Sequence, residues 1–171
     1  MDALAVPLSA AAALLVVSGP RKLARPDDAA RALRLTGLPS SRGLVRVVGA
    51  VELAAGLGVI VDGDHAPWPL ALGTIYAAFA AFVLVAVWRH APLTSCGCFG
   101  REGVAPRPLH AGIDAGAAAI GILAAFDTTR APIDVVLDGG WDAVALTAGA
   151  VILAGATYWV FTRWTGTRSA R

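Results

Sequence analysis

Two cysteines stand in one pentapeptide, Cys96-Gly97-Cys98-Phe99-Gly100, and the chain contains no other cysteine. Sulfurs this close serve as a redox couple or in a metal site, because a disulfide closing so short a loop barely constrains the unfolded chain. Such a disulfide is a small, strained ring, and strain makes a disulfide oxidising and readily exchanged. Gly97 best accepts the backbone geometry that this ring requires. The spacing therefore favours thiol–disulfide exchange at Cys96 and Cys98.

Metal binding is the alternative chemistry for the same two sulfurs. His90 and His110 flank the cysteines and would complete a ligand set for zinc or copper. Cys-x-Cys is an unusual zinc spacing, since structural zinc sites separate paired cysteines by two to four residues, whereas Cu(I) accepts two thiolates alone. We expect no metal, but a non-enzymatic assembly factor that uses Cys96 and Cys98 for docking or for Cu(I) or zinc stays open.

The composition is that of a membrane protein. Hydrophobic residues make up 57% of the 171 and charged residues only 15%, and the mean hydropathy is +0.67. A soluble domain cannot bury that much apolar surface, whereas a lipid bilayer can. The net charge of +2 does not indicate nucleic-acid binding, because the basic residues lie between apolar segments.

Apolar segments long enough to cross ~30 Å of hydrocarbon, or nearly so, divide the chain. We predict five of them, at about residues 3–19, 44–61, 69–88, 109–126 and 141–161. The sequence therefore predicts a single all-α domain over residues 1–171, a polytopic membrane bundle. The cysteines fall in the segment 89–108, called here the cysteine loop.

The distribution of basic residues orients the predicted bundle. The region after the first segment contains six basic residues, Arg21, Lys22, Arg25, Arg31, Arg34 and Arg42. The next loop contains Asp62 and Asp64 and no Lys or Arg. By the positive-inside rule the N-terminus is outside, and the C-terminus and the cysteine loop are cytoplasmic. We expect the membrane to be the plasma or inner membrane. From Pro26 onward, a short amphipathic helix is expected on the lipid headgroups.

Three ionisable side chains within the predicted segments are candidate site residues. Glu52 lies deep in the second segment, where a carboxylate is costly unless it is protonated, paired or wet. We assign it proton handling or contact with a cofactor such as a quinone; the competing interpretation is a protonated carboxyl bonded to a neighbouring helix. His110 and Asp114 form an i,i+4 pair near the interface, where we expect both to reach water.

Two motifs together resemble the MauE family of membrane proteins, which is related to the DoxX-like group. They are the pentapeptide Cys96-Gly97-Cys98-Phe99-Gly100 and the stretch from Val51 to Leu57 that contains Glu52, and the likeness extends from about Leu8 to Leu123. The resemblance implies maturation of an exported disulfide-containing client with a thioredoxin-like partner, in methylamine metabolism. It implies Cys96 and Cys98 as the redox pair and Glu52 as the intramembrane carboxylate, with Gly97, Phe99, Gly100, His110 and Asp114 in support.

The implied function and the predicted orientation are in conflict. Disulfides of exported proteins form outside the cytoplasm, whereas the charge pattern places Cys96 and Cys98 inside. Either the cysteine loop dips into the membrane, or the protein relays electrons to an outer partner, or the orientation is inverted. We favour the first two, because the six basic residues after the first segment are difficult to overrule.

Overall fold

The computed structural model describes residues 3–93, 105–127 and 130–163, and within them the chain is entirely helical apart from its connections. The helices are α1 (Ala5–Ala24), α2 (Asp27–Leu35), α3 (Arg42–Asp62), α4 (Pro67–Trp88), α5 (Pro108–Ala125), α6 (Pro132–Asp138) and α7 (Gly140–Thr162). The predicted all-α class is confirmed.

Four of these helices, α3, α4, α5 and α7, are long and apolar enough to cross a bilayer. Each lies within two residues of its predicted bounds. The first predicted segment forms a 20-residue helix, α1, but α1 is not among the four. Its last turn contains Arg21 and Lys22, which lower its mean hydropathy. The protein is therefore a multi-pass membrane protein, and a fifth crossing by α1 remains a prediction.

Helix α1 lies at the centre of the bundle and packs against α3, α4, α5 and α7. Its backbone approaches that of antiparallel α3 very closely, since a Cβ on Gly19 would lie 2.6 Å from the carbonyl oxygen of Gly49. Helices in lipid associate through such small-residue contacts, because lipid is as apolar as their side chains. Helices α4 and α5 form a second close pair, where a Cβ on Gly121 would lie 2.7 Å from the amide nitrogen of Gly73.

Two short helices flank the long ones. Helix α2 follows Pro26, as the sequence predicts, and its Ala32 packs against Ala86 of α4 and against Leu93. Helix α6 was not predicted, because its seven residues are too few to show a helical period. Pro132 occupies its first turn, and Arg130 forms an ion pair of 2.6 Å with Asp138 at its end.

Candidate functional site

The cysteine pentapeptide, with Cys96, Gly97, Cys98, Phe99 and Gly100, lies outside the described residues. The roles predicted for these five residues therefore remain predictions. The structure does describe both ends of the cysteine loop and the ionisable side chains within the bundle, and these define the surroundings of the candidate site.

The first residues of the cysteine loop are attached to α2. The guanidinium of Arg89 donates a hydrogen bond of 2.6 Å to the carbonyl oxygen of Thr36, just beyond the end of α2. This bond satisfies one of the carbonyls that a helix leaves unpaired at its C-terminus. Leu93 is 6% exposed and packs against Ala32 of α2. The chain thus enters the pentapeptide from a fixed position beside α2.

The last residue of the cysteine loop, Pro108, is already the first residue of α5. His110 follows in the same turn, is 1% exposed and stacks on Phe161 of α7 with ring centroids 4.7 Å apart. Asp114 lies one turn further along and is 2% exposed. The expectation that His110 and Asp114 reach water is wrong, because both side chains are buried and Phe161 of α7 covers the ring of His110.

Glu52 is completely buried and bonded to α1. Its Oε2 lies 2.8 Å from the Nζ of Lys22 and accepts a hydrogen bond of 2.6 Å from the Oγ of Ser18. Its Oε1 has no hydrogen-bond partner among the described residues. The competing interpretation, a protonated carboxyl bonded to a neighbouring helix, correctly anticipated that another helix supplies its partners. It did not anticipate that one of these partners is the cation of Lys22.

Lys22 is the site residue that sequence reasoning missed. We counted it among the charges of a loop, whereas it is 6% exposed in the last turn of α1. One local signal was available: Ser18 and Lys22 are four residues apart and so share a helix face with the intervening Gly19. The charge of Lys22 is therefore paired with Glu52. It is correspondingly weaker evidence for the orientation of the helices in the membrane.

Glycines at the contact between α1 and α3 allow the ion pair to form. A Cβ on Gly49 would lie 2.9 Å from the Cβ of Lys22 and 2.8 Å from the carbonyl oxygen of Gly19. Without a side chain at Gly49, the lysine stem passes along α3 to Glu52. The Nζ of Lys22 also lies 5.2 Å from the ring centroid of Phe79, a cation–π contact.

Two cavities lie on either side of Phe79. The first, of about 260 Å³, is bounded by α1, α4, α5 and α7 and is lined by Ser18, Asp114 and Phe161 among mostly apolar side chains. The second, of about 250 Å³, is bounded by α1, α2, α3 and α4 and is lined by Lys22. Ser18 and Lys22 both bond to Glu52, so the carboxylate connects the two cavities.

The fold and these buried groups define a polytopic helical membrane protein with a buried ion pair. The sequence matches the family described as methylamine utilisation protein MauE over residues 2–127, which is most of the chain. The chain therefore belongs to the MauE family, and the resemblance drawn from its motifs is confirmed. No significant match is found among curated proteins or among solved structures.

Proposed function

We propose that this MauE-family protein is a membrane thiol–disulfide redox protein in which Cys96 and Cys98 form the exchanging pair. One observation carries the proposal: its only two cysteines stand one residue apart, in a loop between two membrane-crossing helices of a MauE-family chain. The partner is a thioredoxin-like protein, and the client is an exported protein that acquires disulfides. The family's description makes methylamine metabolism the proposed setting.

The attachment of the cysteine loop supports this role. Arg89 and Leu93 hold its first residues against α2, and Pro108 begins α5. Anchoring of this kind limits how far the sulfurs can diffuse, which favours their encounter with one docked partner.

The exchange balances in electrons and protons. A thiolate of the reduced partner attacks the Cys96–Cys98 disulfide, forms a mixed disulfide and releases the other cysteine as a thiolate that takes up a proton. The partner's second thiolate then attacks the mixed disulfide. The partner dissociates in its oxidised form, and both Cys96 and Cys98 remain as thiols. Two electrons and two protons have entered the protein, and an oxidant must remove them before the next cycle.

Orientation belongs to the same proposal. The basic residues of α2 and its flanks support a cytoplasmic cysteine loop in the plasma or inner membrane, with exchange across the bilayer by relay or through a dipping loop. Labelling of intact cells with a membrane-impermeant maleimide tests this placement. Rapid labelling of Cys96 or Cys98 from outside would show that the orientation is the inverse of the one proposed.

The exchange itself is tested by trapping its intermediate. The exchange is reversible, so in Cys98→Ser or Cys96→Ser the remaining thiolate attacks the disulfide of the oxidised partner, and the missing second cysteine cannot resolve the product. We therefore expect each variant to accumulate a mixed disulfide with the thioredoxin-like partner, visible on non-reducing gels and identified by mass spectrometry. Ser95→Ala, next to the pair, is the matched control and should trap nothing. Both sulfurs staying unmodified and unlinked, from reducing to oxidising growth conditions, would refute the proposal.

Metal analysis of the purified protein separates the proposal from the assembly-factor alternative. A metal-free protein with a titratable disulfide supports redox exchange. Stoichiometric copper or zinc that disappears in the Cys96→Ser/Cys98→Ser double variant would instead favour the non-enzymatic, metal-binding alternative.

A further inference from the structure

The cavity of about 260 Å³ between α1, α4, α5 and α7 has the size and lining of a ligand site. An engineered cavity of roughly 150 Å³ with apolar walls binds benzene, so this one has room for a larger ring system. Its walls are mostly apolar and include the aromatic rings of Tyr76, Phe79 and Phe161. Three of the four surrounding helices are membrane-crossing, so a ligand would come from the lipid phase.

Polar side chains are few in this cavity, and they belong to Ser18, Tyr76, Asp114 and Thr157. The hydroxyl of Tyr76 donates to the carbonyl oxygen of Ala11 at 2.9 Å and is engaged in packing. The carboxyl of Asp114 lines the cavity, and the hydroxyl of Ser18 lines it while donating to Glu52 at 2.6 Å. A mostly apolar pocket with a few polar groups at fixed positions is the usual form of a small-molecule site.

Ser18 also begins a chain of hydrogen bonds that leads away from the cavity. Glu52 accepts from Ser18 and from Lys22 through the same oxygen, and Lys22 lines the second cavity beside α2. The remaining oxygen of Glu52 is buried without a hydrogen-bond partner in the described part of the chain. Ionisable side chains inside a membrane are energetically costly, and those that occur there typically mark proton or ion paths.

The cavity adjoins the end of the cysteine loop. Phe161 lines the cavity and stacks on His110, which lies two residues after Pro108. A ligand in the cavity would thus lie about one to two helical turns from the point where the cysteine loop returns to the bundle. This position suits a reaction partner of the cysteines.

We propose that this cavity binds a lipid-soluble quinone that reoxidises Cys96 and Cys98, an inference that rests on the redox function proposed above. The two thiols lose two electrons and two protons and form one S–S bond. The quinone gains both electrons, and each of its two carbonyl oxygens becomes a hydroxyl. Asp114 and the chain Ser18–Glu52–Lys22 conduct protons between the cavity and the side of α2.

Binding is tested with the full-length protein in lipid nanodiscs and a photoreactive azido derivative of decylubiquinone. We expect the label on the α5 segment that contains Asp114, mapped by mass spectrometry, also in the Cys96→Ser/Cys98→Ser double variant. Gly116→Phe should reduce labelling at least about tenfold, because the new ring occupies part of the space that the quinone needs. Gly112→Phe is the matched control: a Cβ at either glycine meets nothing within 4 Å, but only Gly116 lines the cavity.

The proton path is tested by the rate of decylubiquinone reduction. We expect Ser18→Ala to slow reduction about tenfold and to enlarge the solvent isotope effect, with photolabelling unchanged. Ser9→Ala is the control, since Ser9 is also buried in α1 but donates to the carbonyl oxygen of Ala5 and does not line the cavity. An unchanged rate and isotope effect in Ser18→Ala would remove Ser18 from the path.

The outcomes separate this inference from the proposed function. Equal labelling of Gly116→Phe and Gly112→Phe, or exchange with a soluble disulfide but no reduction of decylubiquinone, would overturn the quinone site and leave thiol exchange standing. Cavity-specific labelling in a protein whose cysteines never exchange would refute the redox function and keep the binding site.

Discussion

Helices α1 and α7 are similar in length and opposite in surroundings. Eleven of the 20 residues of α1 are buried, against two of the 23 residues of α7. Yet α7 meets the length and hydropathy expected of a membrane span, and α1 is not among the helices that do. The least lipid-like of the long helices is therefore the central one. Hydropathy reports what surrounds a helix, which is mainly lipid for α7 and protein for α1.

The polar residues of α1 illustrate why this difference arises. Ser9, Ser18 and Lys22 are all buried, and each has a hydrogen-bonding partner within the protein. In α7, by contrast, Trp141 and Ile152 are 87% and 71% exposed. A polar group is tolerated at membrane depth only where the protein satisfies it, and α1, with most of its residues buried, offers three such positions.

Removing the charge of Lys22 is expected to have the largest effect among the tests of this difference between α1 and α7. Lys22→Met leaves Glu52 buried without its cation, and we expect a loss of roughly 3–5 kcal/mol in the free energy of unfolding. Ile152→Ala, on the exposed face of α7, should change it by about 0.5 kcal/mol or less. Denaturant unfolding in mixed micelles measures both.

The double variant Lys22→Met/Glu52→Leu sharpens the same test. It removes both charges and should recover most of the lost stability, because no uncompensated charge remains buried. A single Lys22→Met variant as stable as the parent would show that the pair contributes nothing to the α1–α3 interface.

Steric filling at the glycines comes next in expected effect. Gly49→Leu puts a side chain into the backbone of Gly19, so we expect roughly 1–3 kcal/mol of destabilisation or a separation of α1 from α3. Gly155→Leu in α7 is the control, because a Cβ there meets nothing within 4 Å. Thermal unfolding followed by circular dichroism distinguishes the two, and equal midpoints would contradict the close approach of α1 and α3.

A single hydrogen bond to α1 should have a smaller effect. Tyr76→Phe removes the donor to the carbonyl oxygen of Ala11 and keeps the ring in place. Hydrogen bonds between helices in membrane proteins contribute about 0.6 kcal/mol on average, so we expect a loss of that order. The same unfolding assay measures it, and a loss as large as that of Lys22→Met would mean that Tyr76 does more than donate this bond.

The smallest effect belongs to an exposed counterpart of the buried pair. His65, between α3 and α4, contacts Asp62 at 2.6 Å, and Asp62 and Asp64 raise the pKa of His65 above its usual 6.5. The stabilisation is therefore fully present below pH 6.5 and is lost as the pH rises through the folded-state pKa. NMR titration should show a fall in this pKa in Asp62→Asn, and an unchanged value would exclude the carboxylate as its cause.

The amphipathic helix α2 and the four apolar spans were predictable because their signals are local. Hydropathy over about 20 residues identifies a span, and Pro26 followed by acidic residues identifies a helix start. Helix α6 was not predictable, since seven residues carry no period. The burial of His110 was missed because it depends on Phe161 of α7, which is 51 residues away in the chain.

The sequence alone determined the membrane class, the bounds of the spans, the cysteine spacing and the family, since composition and adjacent residues encode all of these. Only the tertiary structure showed that Lys22 is not a loop charge but binds Glu52, 30 residues later in the chain. The cavity beside Ser18 was likewise visible only in the tertiary structure. The physical reason is that a buried charge needs a partner close in space, and sequence patterns report only which residues are close along the chain.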